Sequence, residues 1–284
     1  MARRSSERVH REPRSGARPK DLFLCPPTYL ELKYEINPWM KKGTPFSRPR
    51  AIEQWESLVE AYKKVDAPGR VEIAPAKEGL TELCFFGDSV FLCEGKALFG
   101  HFRHPEREPE RPYVKEFLVS RGFRHKDVPE KVVFEGAGET LFWQDKILFG
   151  FGKRSDEVVR HFLRQTFRKD VIDLEMEKAD FYHLDTAFFP IGDDLIAYYP
   201  GAFGPIDTAT IESLDCDKIK VSEKDAKAFA CNSVVWGGIV FMAMGAPGLR
   251  KEIERRGIDV EEIDVSEFLK FGGGIKCLTL QHYL

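Results

Sequence analysis

The sequence contains no hydrophobic run of the roughly 20 residues that a helix needs to cross a bilayer. Its six cysteines, at positions 25, 84, 93, 216, 231 and 277, form no CxxC pair, which argues against a disulfide scaffold and a zinc knuckle. Lys and Arg number 43 against 46 Asp and Glu, and the net charge of -3 creates no field that favours nucleic acid. We therefore expect a protein of a reducing, cytoplasmic compartment, with no nucleic-acid partner and no membrane partner.

What the sequence does contain is typical of a folded chain. Apolar residues make up 43% and charged residues 31% of its 284 residues, a length that is compatible with one large domain. Residues 1–20 carry seven basic and two acidic side chains and no apolar stretch, and we interpret them as a disordered basic tail. This interpretation leaves residues 21–284 as a single folded domain.

A repeated pattern of short apolar runs follows the tail. Four segments each hold two β-prone runs around a polar or glycine turn and are predicted to form hairpins: 89–100, 140–150, 188–199 and 233–244. Helices are predicted over 155–167, with Ser155 as the cap and Val158 on the buried face, and over 247–257. One further strand is predicted after each hairpin, at 131–136, 170–177, 217–221 and 258–265.

A fifth unit is predicted from the two ends of the domain, with strand segments at 22–27 and 277–281 and an amphipathic helix around Trp55. Five ββαβ-type units predict an α/β fold in which the units close into a ring. A ring hides the sheet edges that an open array exposes, and it brings the ends of several strands together at its centre. The alternative is a mixed α+β sheet whose periodicity is a coincidence.

Cys277 is the candidate nucleophile. It follows the triple glycine of FGGGIKCLTL at the start of a β-prone run, where the backbone can approach a ligand closely. A nucleophilic cysteine needs thiolate character, which Lys276 or a histidine brought in by the fold could supply. The alternative is that Cys277 is a small buried apolar residue, as cysteines in strands commonly are.

His183 is the histidine whose surroundings differ from those of the others, because it lies between aromatic residues in FYHLDTAFFP. On a strand, alternation would turn His183 and Asp185 to the same face, where a carboxylate could support a catalytic imidazole. The alternative is a histidine that is hydrogen-bonded within the core.

Asp88 and Glu135 are carboxylates beside glycines where predicted hairpins begin. A buried carboxylate is costly without a cationic partner, and guanidinium is the cation that pairs with it in a bidentate way. Several acids that converge with a thiol therefore suggest a substrate that carries a guanidine. The alternative is that each acid caps a turn.

These residues stand in motifs that resemble the amidinotransferase, arginine deiminase and dimethylarginine dimethylaminohydrolase family. The motifs are CPPTYLELKYEINPWM at 25–40, FFGDSVF at 85–91, FEGAGETLF at 134–142, YHLDTAF at 182–188 and GGGIKCLTL at 272–280. They occur in the family's order and cover nearly all of the chain after the tail. The resemblance implies a pseudo-fivefold α/β propeller, the pentein fold, with the active site at its centre.

The resemblance also implies roles for the candidate residues. Cys277 corresponds to the nucleophile, His183 to the general acid and base, and Glu135 to the acidic partner of the histidine. The guanidinium would be bound by two carboxylates, Asp88 and Asp185. The resemblance implies chemistry that needs no metal and no other cofactor.

Two arginines, Arg107 in RHPERE and Arg154 in GFGKRS, correspond to those that hold the α-carboxylate of the substrate in the family. The sequence departs from the family pattern where an EGGD signature is one residue longer, as EGAGE at 135–139. This leaves Glu139 as an alternative to Glu135. The segment FGDS lacks the asparagine of relatives that remove both guanidine nitrogens, so dihydrolase activity is not favoured.

Three functions are compatible with these residues. The first is hydrolysis of a guanidine such as arginine to a ureido product such as citrulline, with release of ammonia or an amine. The second is transfer of the amidino group to an acceptor amine, and the third is a propeller without catalytic activity that acts as a binding protein. Asp185 further predicts a preference for unmethylated guanidines, because two methyl groups would remove the hydrogens that its carboxylate accepts.

Overall fold

The computed structural model describes residues 19–284. This part of the chain contains seven α-helices: α1 (Arg48–Lys64), α2 (Glu110–Val119), α3 (Val159–Phe167), α4 (Pro205–Glu212), α5 (Glu223–Lys227), α6 (Pro247–Glu254) and α7 (Ser266–Leu269). It also contains fifteen strands: β1 (Pro19–Leu24), β2 (Arg70–Ile73), β3 (Val90–Cys93), β4 (Lys96–Phe99), β5 (Arg124–Asp127), β6 (Thr140–Trp143), β7 (Lys146–Phe151), β8 (Asp170–Glu175), β9 (Phe188–Gly192), β10 (Leu195–Tyr198), β11 (Asp217–Lys220), β12 (Val234–Trp236), β13 (Ile239–Ala243), β14 (Val260–Ile263) and β15 (Leu280–Tyr283).

The predicted basic tail falls almost entirely outside the described residues. Its predicted end at residue 20 is wrong by two residues, because Pro19 and Lys20 already belong to strand β1. Pro19 pairs with Tyr283 of β15, so the first described residue is part of a sheet.

All four predicted hairpins are confirmed, as β3–β4, β6–β7, β9–β10 and β12–β13. Three of them turn over two residues that both have positive φ, at Glu94 and Gly95, at Gln144 and Asp145, and at Gly237 and Gly238. Positive φ at both positions is the geometry of the type I′ turn, whose twist matches that of the flanking strands.

Three of the four predicted following strands are confirmed, as β8, β11 and β14, but the first is wrong. Residues 131–136 form no strand, and the strand of this unit is β5, with the sequence RHKD and four exposed side chains. An exposed, charged edge strand has no apolar pattern, and its charges protect the sheet edge from pairing with other chains. No hydrophobic pattern in the sequence therefore predicts strand β5.

The same three-stranded arrangement occurs five times. In each unit the middle strand pairs antiparallel with one neighbour and parallel with the other, and a helix lies in the chain between the two parallel strands. The units are β15–β1–β2, β3–β4–β5, β6–β7–β8, β9–β10–β11 and β12–β13–β14. The first two join into one six-stranded sheet through a short parallel contact of β15 with β3. The fold is therefore α/β, with an antiparallel strand pair and a crossover helix in each unit.

The helices cover the sheets, but the beginning of α3 differs from the prediction. Helix α3 starts at Val159, and Val158, which was expected on the buried face, is 44% exposed. Ser155 caps no helix. Its Oγ instead accepts a hydrogen bond from the backbone N–H of Glu135 at 3.0 Å, because it lies in a loop beside that residue. Within residues 19–284, no helix is long and apolar enough to cross a membrane.

Candidate active site

The segments that lead into the first strand of each unit carry the polar groups of one site. These groups are Asp88 before β3, Glu135 before β6, His183 and Asp185 before β9, Asn232 before β12, and Cys277 before β15. The strands that follow are largely buried, so the residues just before them are buried as well. Asp88, His183 and Cys277 line a common small cavity, together with Arg107 and Arg154.

Cys277 lies in a turn before β15 and is 4% exposed. Its Sγ lies 3.7 and 4.0 Å from the two carboxylate oxygens of Asp185, and it accepts a hydrogen bond from Asn232 Nδ2 at 3.1 Å. Burial, and after it the negative charges of Asp185 and Asp88, raises the pKa of the Cys277 thiol well above its usual value. At neutral pH the sulfur is therefore a thiol, and a cation bound beside it would favour its ionisation.

Asp185 was expected on a strand with His183, and that expectation is wrong. His183 has an extended backbone, and a short 3₁₀ helix follows it over Leu184–Thr186, so no strand alternation relates the two side chains. Both residues nevertheless reach the site. Burial raises the pKa of the Asp185 carboxyl to about 7, while the nearby His183 and Lys276 act in the opposite direction.

His183 forms a close pair with Glu135. Its Nε2 lies 2.7 Å from Glu135 Oε2, and both side chains are almost completely buried. Burial by itself lowers the pKa of His183, but the hydrogen bond and the charge of Glu135 outweigh it, so the pKa is raised. The other ring nitrogen, Nδ1, has no hydrogen-bond partner among the described residues. The pair can thus hold a proton on an imidazole that has one nitrogen left for exchange.

Glu135 remains a carboxylate because three donors surround it. Besides His183, Arg154 Nη1 donates to Oε2 at 2.8 Å and the backbone N–H of Arg103 donates to Oε1 at 2.9 Å. Burial opposes ionisation, but the charge of Arg154 and the contact with His183 lower the pKa of Glu135 below its usual value. The carboxylate can therefore stabilise a protonated imidazole.

Glu139, the alternative partner, is fully buried but forms no hydrogen bond with the imidazole. Its Oε2 accepts from the backbone N–H of Leu184 at 3.2 Å, and Oε1 has no partner within the described part of the chain. Burial raises its pKa to about 8, so Glu139 is mainly protonated at neutral pH. Between the two glutamates, Glu135 is the one in contact with His183.

Asp88 forms an ion pair with Arg107, so its carboxylate is not wholly free to face the cavity. Arg107 Nη1 donates to Asp88 Oδ2 at 2.5 Å, and Nε and Nη2 donate to Glu110 at 3.1 and 2.8 Å. Glu82 lies 3.6 Å from Arg107 Nε, and burial raises the pKa of its carboxyl to about 7. Arg107 is therefore surrounded by acids, an arrangement that does not favour binding of a further carboxylate.

Arg154 uses fewer of its N–H groups than Arg107 does in contacts with the described residues. Its Nη1 donates to Glu135, its Nη2 donates to the Ile36 carbonyl at 2.7 Å, and the guanidinium lies 4.5 Å from the centre of the Tyr182 ring. A guanidinium has five N–H groups, so three of those on Arg154 are not used by the part of the chain that the structure describes.

Sequence reasoning missed Asn232, Glu82 and Glu110. Asn232 precedes β12 in the segment ACNSVVW, which has no feature that marks a site. The signal that could have found it is positional, because the corresponding segment of every other unit carries a candidate residue. Glu82 and Glu110 are recognised only through Arg107, which the fold brings between them.

Comparisons with known proteins agree with this architecture. A family model described as N,N dimethylarginine dimethylhydrolase, eukaryotic, matches residues 33–284. The chain is 32% identical over 268 residues to N(G),N(G)-dimethylarginine dimethylaminohydrolase of Mycobacterium tuberculosis, which covers 94% of this chain and 87% of that protein. It is 34% identical over 264 residues to the bifunctional arginine dihydrolase/ornithine cyclodeaminase AgrE of Nostoc sp., which covers 91% of this chain.

The chain spans only 37% of the length of AgrE. Among solved structures, the product-bound N-terminal domain of ArgZ, an arginine dihydrolase from the Ornithine-Ammonia Cycle in Cyanobacteria, superimposes with a TM-score of 0.88 at 32% identity. The superposition covers 92% of this chain and 96% of that domain.

Proposed function

The chain belongs to the dimethylarginine dimethylaminohydrolase family, which contains hydrolases of guanidino C–N bonds, and from this premise we propose that it hydrolyses the guanidine of arginine or an arginine derivative. The products are a ureido compound such as citrulline and ammonia or an amine. The observation that carries the proposal is a buried thiol in contact with one carboxylate, beside a cavity that also contains a second carboxylate and a histidine paired with Glu135.

Asp88 and Asp185 bind the guanidinium in this proposal. Both carboxylates act electrostatically on the Cys277 thiol and raise its pKa, so a bound cation that neutralises them lowers that pKa. Substrate binding therefore produces the thiolate at the moment when it is needed, and the proton of the thiol passes to solvent. Arg107 fixes one oxygen of Asp88 and thereby orients this carboxylate towards the substrate.

The Cys277 thiolate then attacks the guanidinium carbon, forming a C–S bond and a tetrahedral adduct. His183 donates its proton to the departing nitrogen, the C–N bond breaks, and a thiouronium remains on the sulfur. The neutral imidazole next takes a proton from water, whose oxygen adds to the same carbon. Collapse of this second adduct expels the thiolate, which takes up the hydroxyl proton of the adduct and becomes a thiol again, and releases the ureido product. Glu135 stabilises His183 while it is charged.

We propose that Arg154 receives the α-carboxylate of the substrate, since three of its N–H groups have no partner among residues 19–284. Arg107 uses one N–H on Nε, one on Nη1 and both on Nη2, the last for Glu110 and for carbonyls of the loop before β3. One N–H therefore remains, and the contribution of Arg107 to the α-carboxylate is the smaller of the two.

For the substrate we propose an unmethylated guanidine such as arginine over asymmetric dimethylarginine. Asp185 accepts hydrogen bonds from a terminal nitrogen only if that nitrogen carries hydrogens, and methyl groups there would leave a buried carboxylate without donors. The relatives include both an arginine dihydrolase and a dimethylarginine dimethylaminohydrolase, so the family alone does not decide the substrate.

We further propose that residues 21–284 act as one catalytic domain in which the five units form a pseudo-fivefold propeller. The proposal is supported by the equal pairing pattern of the units and by the site residues that precede the first strand of each. A ring is the arrangement that brings these five segments to one centre.

Incubation with labelled arginine, with and without glycine as an acceptor, tests the proposed reaction. Citrulline and ammonia in equal amounts, independent of glycine, are expected for hydrolysis. Ornithine that forms only when glycine is present would instead establish amidino transfer. Absence of turnover with arginine and with methylated arginines would favour the non-catalytic binding protein.

A further inference from the structure

Asn232 is the polar residue that the fourth unit contributes to the centre of the site. It precedes β12, as Asp88 precedes β3 and Cys277 precedes β15, and it is 0% exposed. Its Nδ2 lies 3.1 Å from Cys277 Sγ, which is hydrogen-bond distance for a sulfur acceptor. None of the steps of the proposed reaction involves this residue.

The orientation of the Asn232 amide is fixed by the backbone around Cys277. Its Oδ1 accepts hydrogen bonds from the backbone N–H of Gly274 at 3.0 Å and of Cys277 at 3.2 Å. If the amide were flipped, its NH2 group would face these two donors, and its oxygen would face the sulfur. The hydrogen-bond network therefore assigns the donor end of the amide to the sulfur.

We propose that Asn232 is a catalytic residue whose amide N–H stabilises the thiolate of Cys277. The proposal rests on the proposed function in that it takes Cys277 as the nucleophile. The sulfur also lies 3.7 Å from Asp185 Oδ2, and the negative charge of this carboxylate opposes ionisation of the thiol. A donor held on another side of the sulfur offsets this repulsion, because hydrogen bonds to an anion are stronger than those to a neutral group.

The same hydrogen bond acts in both halves of the reaction. The thiolate is the nucleophile in the first half and the leaving group in the second, and between them the sulfur is bonded to carbon and is a weak acceptor. Asn232 therefore stabilises the charged sulfur before attack and again as the C–S bond breaks. The strength of this hydrogen bond depends on the charge of the sulfur and not on whether substrate is bound.

Two variants together separate this role from a purely structural one, because Asn232→Asp preserves the turn and Asn232→Ala removes the donor without adding a charge. Aspartate keeps an oxygen for the N–H groups of Gly274 and Cys277, so it preserves the turn, but it replaces the donor beside the sulfur with a second carboxylate oxygen. Asn232→Ala removes the contacts with the sulfur and with these N–H groups, and also the hydrogen bond that Nδ2 donates to the Asp185 carbonyl at 3.4 Å. Ser233→Ala is the matched control, since the Ser233 hydroxyl donates to the Ala230 carbonyl and lies outside the catalytic set.

The experiment measures the rate at which iodoacetamide alkylates Cys277 between pH 6 and 10, with the labelled cysteine identified by mass spectrometry. The titratable groups that act electrostatically on the thiol are Asp185, Asp88, Lys276 and Tyr182, and every variant retains them. We expect Asn232→Asp to move the alkylation profile upwards by about one pH unit or more, which is about a tenfold lower rate at pH 7. Ser233→Ala should keep the wild-type profile.

A wild-type alkylation profile in Asn232→Asp would overturn the proposal. Asn232→Ala adds no charge and is needed whether or not Asn232→Asp folds: a profile shifted upwards supports the proposal, and an unshifted profile contradicts it. Alkylation requires no substrate, so the result is independent of whether arginine is hydrolysed. An alkylation shift in a protein that does not hydrolyse guanidines would refute the proposed function and leave the contact between Asn232 and the thiolate intact.

Discussion

Replacement of Glu135 by Gln, compared with the same replacement at Glu139, separates the two buried glutamates of the EGAGE segment. Glu135 Oε2 accepts from both His183 and Arg154, and Oε1 accepts from the backbone of Arg103. Glutamine has one acceptor oxygen and an NH2 group, so one of these donors would face another donor. The change also removes the negative charge that supports the imidazolium.

The magnitude follows from the type of hydrogen bond that is lost. A hydrogen bond to a charged group contributes about 1.5–3 kcal/mol, and the pair of His183 and Glu135 is charged when the leaving nitrogen takes its proton. A loss near the upper end of this range corresponds to a decrease in kcat/KM on the order of a hundredfold. Without the carboxylate the pKa of His183 also falls, so the loss of activity at high pH should begin at a lower pH than in the wild type.

Glu139→Gln is the matched control. Because burial raises the pKa of Glu139 to about 8, the side chain is mainly neutral at pH 7, and glutamine can still accept the hydrogen bond from Leu184. We expect a change in kcat/KM of less than about threefold. The assay is citrulline formation from arginine at pH 7 with folding checked by circular dichroism. Full activity in Glu135→Gln, together with a large loss in a folded Glu139→Gln, would refute the assignment of Glu135.

Three further predictions concern other contacts of the site. A Cβ at Gly138 would lie 2.6 Å from His183 Nδ1, so Gly138→Ala should displace the imidazole and lower kcat by about tenfold or more; unchanged kcat would contradict the packing described. Arginine should be preferred over asymmetric dimethylarginine in kcat/KM, and Asp185→Ala should lose arginine activity; the reverse preference would show that Asp185 does not bind the terminal nitrogen. Since the pKa of Glu139 is raised from 4.5 to about 8, its contribution to stability is complete below pH 4.5 and is lost as the pH rises towards 8, so Glu139→Gln should lower Tm less at pH 8 than at pH 5.

The apolar hairpins and the order of the units could be predicted from the sequence because buried strands carry continuous apolar runs. Strands β3, β6 and β10 are buried throughout, and each was predicted. Strand β5 could not be predicted in this way, since all its side chains are exposed and polar. Its pairing with β4 depends on tertiary contacts that leave no hydrophobic pattern in the sequence.

Sequence analysis identified the site residues that lie in a distinctive local motif. It missed those that only the three-dimensional fold brings into the site. Cys277 follows three glycines, and His183 and Asp185 lie in a distinctive motif. Asn232 contacts Cys277 across 45 positions of the chain, and nothing near it in sequence indicates this contact. The environment of Arg107 was likewise not predictable, because the acids that surround it come from the loop between β2 and β3 and from α2.

The measurement that tests the central claim most directly is mass spectrometry of the protein quenched with acid during turnover of arginine. The account predicts a transient amidino adduct on the peptide that contains Cys277, which forms before citrulline and disappears as citrulline is released. Cys277→Ser should bind arginine, form no adduct and release no citrulline. An adduct on another cysteine, or citrulline formation by Cys277→Ser, would contradict the account.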